Sequence, residues 1–461
     1  MRRRDALKTL GALAGAPVAA RFLGGCGDNE AGELGITNYV YLMMENRSYN
    51  HYFGARTLLE GKPGDGLTAD MFNPDLDGNP VAIFPGTTDI PHQCVPDPPH
   101  GWDPSRVQFD NGANDGFVIA HQQKHGAGLI DPMEYMTRDL IPVSWALADA
   151  YTTCDRWFCS LLGPTLPNRM YWHAATSNGA KSNDEVTGGA FKGLTSIYHR
   201  LDEAGVDWAY YYNDVPVLAV IKDLDLTGRL RRFLYDFIDD AAAGTLPPVV
   251  YIDPGFASND DHPPHHPLLG QMLISSVYTA LSTSPQWKNT MLVITYDENG
   301  GFFDHVPPPT APDDRAADGF DQLGFRVPAL VAGPYAKQSY VSSVQHDHTS
   351  ALKHLEEVFG LDPLTARDAA ANNLMDCIDE ERLASGKPAD PLADLPYVEI
   401  DADSLPAACT GKSFAVHDHD ILRWAETANL GEYDRRGEAR DVVYGIADYL
   451  DEHNRGRIRR K

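Results

Sequence analysis

Basic residues are scarce in this chain. Its 461 residues include 38 Lys and Arg against 65 Asp and Glu, which gives a formal net charge of -27 at pH 7. Proteins that bind nucleic acid neutralise phosphates with a basic surface, so this composition argues against nucleic acid as a partner. It also gives no general attraction to anionic lipid. A substrate that carries phosphate therefore needs a local positive centre in the protein.

Cysteine is also rare, with six residues in the chain. The sequence contains no CxxC pair, which argues against a structural zinc site. Outside the cytoplasm disulfides are plausible, and the simplest pairings are Cys154 with Cys159 and Cys377 with Cys409, leaving Cys94 free. Spacing alone does not fix the connectivity.

The apolar stretch near the start, Leu10–Ala20, is too short to span a bilayer. It follows Arg3 and Arg4, and the segment resembles a twin-arginine export signal. The sequence FLGGC ends at Cys26 and resembles the lipobox of bacterial lipoproteins, which makes Cys26 a candidate lipid anchor. The alternative is an ordinary signal peptide in which Cys26 is incidental.

These features predict the organisation of the chain. We expect an export signal over residues 1–26, a linker over 27–35, and a single domain over 36–461 with loop insertions and a C-terminal helical extension. The mature protein would be periplasmic, anchored to the membrane as a lipoprotein, or secreted. The sequence leaves its oligomeric state open.

Four short apolar runs predict buried strands. A helical pattern lies between the second and third of them, and strand, helix, strand in that order indicates a parallel sheet and an α/β fold. A further helix is predicted over Ser350–Phe359, and residues 61–116 are predicted to be mostly loops. The predicted strands are Tyr39–Met44, Val249–Ile252, Met291–Tyr296 and Ala329–Val331.

Acidic and amide side chains follow two of these strands. Glu45 and Asn46 come directly after the first, and Asp297 and Glu298 after the third. Ligands of open α/β sheets bind at the carboxyl ends of the strands. Carboxylates gathered there repel one another unless a cation intervenes, and a hard divalent metal with oxygen ligands is the simplest solution. Each motif alone is equally typical of a turn or a surface strand end.

The sequence GPTLPNR holds Thr165 between two prolines, with a helix predicted from Met170 onward. A hydroxyl at a helix N-terminus is suited to phosphate chemistry, because free amides there stabilise anions. Activated by a metal, Thr165 could attack phosphorus; alternatively, it is an N-cap or loop hydroxyl. His100, His262, His305 and His348 lie in loops rich in Asp, Pro and Gly, where they are candidates for metal or phosphate contacts or are ordinary structural histidines.

Six motifs together resemble the bacterial phosphoesterase family, which contains twin-arginine-exported phospholipases C and related acid phosphatases. In order they are MMENRSYNHYFG, DPPHGW, GPTLPNR, NDDHPP, YDENGGFFDHVPPP and HDHTSALKHLEEVFGL, over about residues 36–360. The resemblance implies an alkaline-phosphatase-like fold, a three-layer α/β/α sandwich around a mostly parallel sheet. It also implies metal-assisted phosphoryl transfer.

The resemblance implies roles for individual residues. Thr165, His100 and His262 match catalytic positions, with Thr165 as the nucleophile. One divalent metal ion is implied; oxygen ligands favour calcium, and zinc or iron are alternatives. The implied metal ligands are Glu45, Asn46, Thr165, Asp297 and Glu298, and the implied supporting residues are Asp304, His305 and His348.

The resemblance also predicts the substrate class. The nucleophile is a threonine, as in the phospholipases C of the family, whereas the acid phosphatases have serine there. We therefore expect hydrolysis of a phosphodiester, such as a phospholipid, through a phosphothreonine intermediate. The alternatives are an acid phosphatase acting on phosphomonoesters and a lipoprotein that binds a phosphate ligand without turnover.

Overall fold

The computed structural model describes residues 35–87, 95–402 and 419–459. Its strands are β1 (Asn38–Met44), β2 (Phe72–Pro74), β3 (Pro80–Ala82), β4 (Phe84–Pro85), β5 (Glu134–Tyr135), β6 (Thr152–Cys154), β7 (Trp157–Phe158), β8 (Trp208–Tyr212), β9 (Leu230–Arg232), β10 (Val249–Ile252), β11 (Thr290–Tyr296), β12 (Ala329–Ala332), β13 (Tyr340–Ser342), β14 (His346–Asp347), β15 (Val398–Asp401) and β16 (Gly456–Arg459). Its α-helices are α1 (Ala55–Glu60), α2 (Trp102–Phe109), α3 (Phe117–His125), α4 (Pro142–Ala150), α5 (Thr165–Ala174), α6 (Asn183–Glu185), α7 (Ile197–Glu203), α8 (Ile238–Ala243), α9 (Pro267–Thr283), α10 (Thr349–Phe359), α11 (Ala366–Ala370), α12 (Glu380–Ser385), α13 (Asp420–Thr427) and α14 (Ala439–Glu452).

A central sheet of eight strands, in the order β13-β6-β12-β11-β1-β10-β8-β9, organises the fold. Seven of these strands point the same way, and β12 runs antiparallel to both of its neighbours. The four strands predicted from the sequence are present as β1, β10, β11 and β12, with ends that differ by at most one residue. The predicted unit β10-α9-β11 is parallel, but β1 lies between its two strands.

Every residue of β1 is buried, which indicates that both faces of the sheet are covered. On one face Tyr39 packs against His354 and Phe359 of α10, and Tyr41 against Trp172 of α5, with ring centroids 5.5 to 5.8 Å apart. In a second group of helices, α4, α8 and α14 pack around α9, and α4 contacts β6 and β12 of the sheet. The predicted α/β/α architecture around a mostly parallel sheet is confirmed.

The start of α5 differs from its prediction. The helix begins at Thr165 and not near Met170. Its first turn includes Pro167, and a proline is tolerated there because its missing N–H has no helical partner to lose.

The predicted disulfide between Cys154 and Cys159 is wrong. Both cysteines are free, and so is Cys377. The Cys154 Sγ lies 3.7 Å from the Cys377 Sγ, whereas the Cys159 thiol donates to the Leu161 carbonyl at 3.5 Å. Cys154 ends β6 and Cys159 follows β7, so the two side chains turn to different neighbours.

Other predictions fall outside the described residues. They include the export signal over 1–26, the linker before residue 35, and any pairing of Cys94 or Cys409. In the three described ranges, no helix combines the length and the apolar character that crossing a membrane requires.

Candidate active site

The ends of β1 and β11 bring the two predicted acidic motifs together. The strands are parallel neighbours, and their register pairs Met44 with Tyr296, so Glu45 and Asp297 leave the sheet side by side. The backbone N–H of Asn46 donates to the Asp297 Oδ1 at 3.1 Å. Glu45, Asn46 and Asp297 are all fully buried. Motifs about 250 residues apart thus form one site, as the topology rule predicts.

Backbone packing explains the glycines of the DENGG motif. Gly300 has a φ of +61°, and a Cβ placed there would meet the Asn46 carbonyl oxygen at 2.1 Å. Asn46 itself has a φ of 57°. Glycine and asparagine adopt the left-handed region of backbone space more readily than other residues. Gly300 and Asn46 therefore suit the close contact between the loops that follow β11 and β1.

Arg169, which the sequence analysis missed, lies at the centre of the site. Its Nε donates to the Glu45 Oε1 at 3.1 Å and to the Asp297 Oδ2 at 3.2 Å, and its Nη1 donates to the Asp253 Oδ1 at 3.1 Å. Its Nη2 donates to the carbonyls of Met43 and Met44 at the end of β1. The Arg169 guanidinium therefore provides part of the positive charge that was predicted to offset the repulsion between these carboxylates.

The electrostatics of this cluster are strongly coupled. Burial lowers the pKa of Arg169, but the nearby Glu45, Asp297 and Asp253 outweigh burial and raise it above its usual value. Burial, with Asp297 adding to it, raises the pKa of Glu45 well above the ordinary range. Burial likewise raises the pKa of Glu298 to about 8, although His100 opposes the shift. One arginine does not neutralise this many buried carboxyl groups.

Four of the predicted metal ligands each have a buried oxygen with no hydrogen-bond partner among the described residues. These oxygens are the Glu45 Oε2, the Asn46 Oδ1, the Thr165 Oγ1 and the Glu298 Oε1. Thr165 lies four residues before Arg169 on α5 and so shares its helix face. A buried oxygen without a partner costs roughly 1–3 kcal/mol. Oxygens of this kind, next to carboxylates, fit a hard divalent cation.

The N-terminus of α5 offers fewer free amides than the sequence analysis expected. The Leu166 N–H donates to the Asn183 Oδ1 at 2.8 Å, and Pro167 has no N–H. The Asn168 N–H donates to the Pro164 carbonyl at 3.3 Å. The N–H groups of Leu166 and Asn168 are therefore already paired. Stabilisation of a phosphate falls mainly to side chains or a metal.

His100 and His262 approach the site from two separate loops, with ring centroids 5.8 Å apart. Their Nδ1 atoms donate to the carbonyls of Pro98 and Pro263, at 2.8 and 2.6 Å, which directs each Nε2 away from the backbone. Burial, reinforced by His419, lowers the pKa of His262 to about 4. Two of the predicted histidines thus lie together beside Asn46, whose Nδ2 is 3.5 Å from the His100 Nε2.

His419 is a second residue that the sequence analysis missed. Its ring lies 4.3 Å from that of His262, and its Nε2 donates to the Asp260 Oδ2 at 2.9 Å. Its Nε2 is also 3.7 Å from the Glu45 Oε2. The HDHD sequence around it resembles the HDHT of residues 346–349, which is the signal that could have found it.

The ligating atoms of this region form two overlapping candidate metal clusters among the described residues. One contains Glu45, His262 and His419, and the other contains Asp97, His100 and His262, with ligand atoms within 4.8 Å of one another in each. The site therefore has the donors to hold a divalent metal ion.

The three predicted supporting residues lie in different surroundings. His348 donates from Nε2 to the Asp297 carbonyl at 2.7 Å, so it supports the second acidic motif directly. Asp304 instead accepts from Arg326 at 2.8 Å, and the His305 Nε2 lies 2.9 Å from the Asp65 Oδ1. These last contacts place Asp304 and His305 in a network around Arg326.

The sequence matches the Phosphoesterase family over residues 36–362. Phospholipase C A of Mycobacterium tuberculosis is 34% identical over 386 residues, which cover 71% of this chain and 73% of that protein. Non-specific phospholipase C6 of Arabidopsis thaliana is 31% identical over 377 residues, covering 74% of this chain and 72% of the relative.

Solved structures with similar folds are more distant. An alkaline phosphatase superfamily protein from Vibrio parahaemolyticus is 12% identical with a TM-score of 0.33, covering 50% of this chain and 64% of that chain. The phosphonate monoester hydrolase of Agrobacterium radiobacter is 11% identical with a TM-score of 0.35, covering 75% and 77%. The sequence match over most of the chain decides the assignment: this protein belongs to the phosphoesterase family and is a hydrolase of phosphoric ester bonds.

Proposed function

We propose that the protein is an exported, metal-dependent phosphodiesterase that hydrolyses phospholipids in the manner of a phospholipase C. The observation that carries the proposal is the buried Thr165 hydroxyl, which has no partner among the described residues and lies one helical turn from Arg169 in the carboxylate cluster. The relatives named phospholipase C support the diester substrate.

The proposed reaction has two displacements. The Thr165 Oγ1 attacks phosphorus and loses its proton, the bond from phosphorus to the leaving alcohol breaks, and the alcohol takes up a proton. The head group is then attached to the enzyme as a phosphothreonine diester. Water attacks the same phosphorus, the bond to the Thr165 Oγ1 breaks, and the hydroxyl regains its proton.

The residues around Thr165 divide the remaining tasks. A divalent ion held by Asn46, Thr165, Asp297 and Glu298, with Glu45 beside them, would lower the pKa of the threonine hydroxyl and neutralise phosphate charge. The oxygen-rich donor set favours calcium. Arg169 orients two of these carboxylates through its bonds to Glu45 and Asp297.

His100 and His262 serve the leaving group and the water. Their backbone bonds fix the ring orientation and turn each Nε2 away from the backbone. A positioned proton donor or acceptor of this kind contributes roughly 10²–10⁴-fold to the rate. His100 lies against Asn46, and His262 shares a group of ligand atoms with Glu45, which supports a role for both histidines in the proposed reaction.

Export and anchoring belong to the same proposal. Residues 1–26 would direct a folded enzyme out of the cytoplasm, with Cys26 as the lipid attachment point, and residues 36–461 would form a single catalytic domain. Mass spectrometry of the mature N-terminus tests this. A diacylated Cys26 is the expected species, and an unmodified N-terminus elsewhere would contradict the anchor.

A substrate panel tests the activity. Purified enzyme is offered phosphatidylcholine, p-nitrophenyl phosphorylcholine and p-nitrophenyl phosphate, with and without a chelator. We expect turnover of both diesters, little turnover of the monoester, and loss of activity with the chelator. Turnover of the monoester alone would instead indicate an acid phosphatase. Binding of inorganic phosphate without any turnover would indicate a binding protein.

A further inference from the structure

A second group of metal-ligating side chains lies apart from the carboxylate cluster. It consists of Cys154, His346 and Cys377, which are at most 1% exposed, and their ligand atoms lie within 4.8 Å of one another. Cys154 ends β6, His346 begins β14, and Cys377 ends the 3₁₀ turn Met375–Cys377. Three distant segments of the chain therefore place two thiols and one imidazole at a single buried point.

The distance between the two sulfurs is informative. The Sγ atoms of Cys154 and Cys377 are 3.7 Å apart. Two thiolates on one tetrahedral zinc ion, each about 2.3 Å from the metal, are about 3.8 Å apart. A disulfide would hold them at about 2.05 Å. The two thiols thus have the separation that a shared metal ion requires.

The imidazole points to the same conclusion. Neither nitrogen of His346 forms a hydrogen bond of regular geometry among the described residues, although the side chain is buried and the Cys377 thiol is its neighbour. Such a group normally finds a partner, because leaving it unsatisfied costs about 1–3 kcal/mol. The ring is held in place by Trp157, whose ring centroid lies 5.6 Å away. A metal ion would supply the missing partner.

A small cavity lies beside this histidine. His346 lines this cavity of about 80 Å³, together with Asp347, Arg367 and residues of the loop that follows α11. A cavity of this size holds water molecules. A water molecule could therefore take the fourth position of a tetrahedral site beside the three protein ligands.

We propose that Cys154, His346 and Cys377 form a second metal site, which takes a thiophilic divalent ion of the zinc class and cross-links three segments of the fold. The site does not depend on the proposed phosphodiesterase activity. The sequence gives no spacing signal for this metal site, because the three ligands come from separate segments of the chain and not from a CxxC pair in one loop.

Metal content and cobalt spectroscopy test the site on the full-length enzyme. The wild type, the double variant Cys154→Ser/Cys377→Ser and His346→Phe are loaded with Zn²⁺ and dialysed, and bound zinc is measured by mass spectrometry. We expect the wild type to retain one equivalent more than either variant. Loading with Co²⁺ should give the wild type a thiolate-to-cobalt charge-transfer band in the near ultraviolet. The carboxylate cluster contributes oxygen and nitrogen donors, so that band reports the sulfur site alone.

Cys159→Ser is the matched control, because Cys159 is a buried cysteine outside the cluster. It should keep both the extra zinc and the cobalt band. Wild-type protein that shows no cobalt band and no extra zinc would overturn the proposal, whether or not the variants fold. A Cys154–Cys377 disulfide, found by peptide mapping of protein purified without reductant, would overturn it as well.

Discussion

Replacement of Arg169 by lysine tests whether one arginine organises the active site. The guanidinium donates to five acceptors: Glu45, Asp297, Asp253 and two backbone carbonyls at the end of β1. An ammonium group has three donors on a differently shaped side chain. At least two buried acceptors are then left unpaired, at roughly 1–3 kcal/mol each. We expect Arg169→Lys to lower the free energy of unfolding by about 2–6 kcal/mol.

The same change should reduce turnover, because it releases Glu45 and Asp297, which Arg169 holds one helical turn from Thr165. A displacement of about 1 Å at a reacting centre costs on the order of 10²-fold in rate. Urea unfolding followed by circular dichroism gives the stability, and kcat is measured below the transition of the least stable variant. Arg326→Lys is the matched control, since Arg326 is equally buried and paired with Asp304.

Arg326→Lys should lose stability and keep kcat within a few fold of the wild type. The reasoning is refuted if Arg169→Lys retains both its stability, within about 0.5 kcal/mol, and its turnover. It is also refuted if the two lysine variants lose turnover equally, because that would indicate a general loss of stability and not an effect on the site.

Three further predictions concern other parts of the molecule. Burial and then Asp368 raise the pKa of Glu356 to about 9. A carboxyl group whose pKa is higher in the folded than in the unfolded protein destabilises the fold as pH rises from the unfolded to the folded value. In urea unfolding, the free energy of unfolding of Glu356→Gln should therefore rise by roughly 1–3 kcal/mol relative to the wild type between pH 5 and pH 9. Glu357→Gln, a substitution at the exposed neighbouring residue, is the control and should show little of this pH dependence. A wild type whose free energy of unfolding rises relative to that of Glu356→Gln with increasing pH would contradict the prediction. Gly300→Ala should displace Asn46, because the new Cβ would meet the Asn46 carbonyl oxygen. We expect calorimetry to show metal binding weakened about tenfold or more. An unchanged metal affinity would contradict the packing argument. Chelation should abolish turnover and added Ca²⁺ should restore it, whereas full activity after exhaustive chelation would exclude the metal role.

The sequence predicted the parts of the fold whose signal is local. Strands β1 and β11 are long apolar runs with polar ends, and their ends were predicted to within one residue. The three-residue strands β6 and β13 were not predicted, because so short a segment has no periodicity to read. The start of α5 was predicted too late, because the prolines on both sides of Thr165 are typical of a rigid turn, although the first turn of a helix also tolerates a proline.

The candidate site was predictable where its residues follow strands. Glu45 and Asp297 were placed together because parallel strands end at one edge of a sheet. Arg169 was missed, since nothing in PNR shows that an arginine will be buried between three carboxylates. His419 was missed because the HDHD sequence around it was not singled out, and because it contacts Asp260, which lies 159 residues earlier in the chain.

The most direct test of the account is the identity of the nucleophile. Enzyme mixed with p-nitrophenyl phosphorylcholine is quenched in acid during turnover and digested, and the peptides are examined by mass spectrometry. The account predicts a phosphorylcholine adduct on Thr165, a Thr165→Ser variant that retains the adduct, and a Thr165→Ala variant that folds but loses roughly 10⁴-fold or more in kcat. An adduct on another residue, or a Thr165→Ala variant that turns over at the wild-type rate, would contradict it.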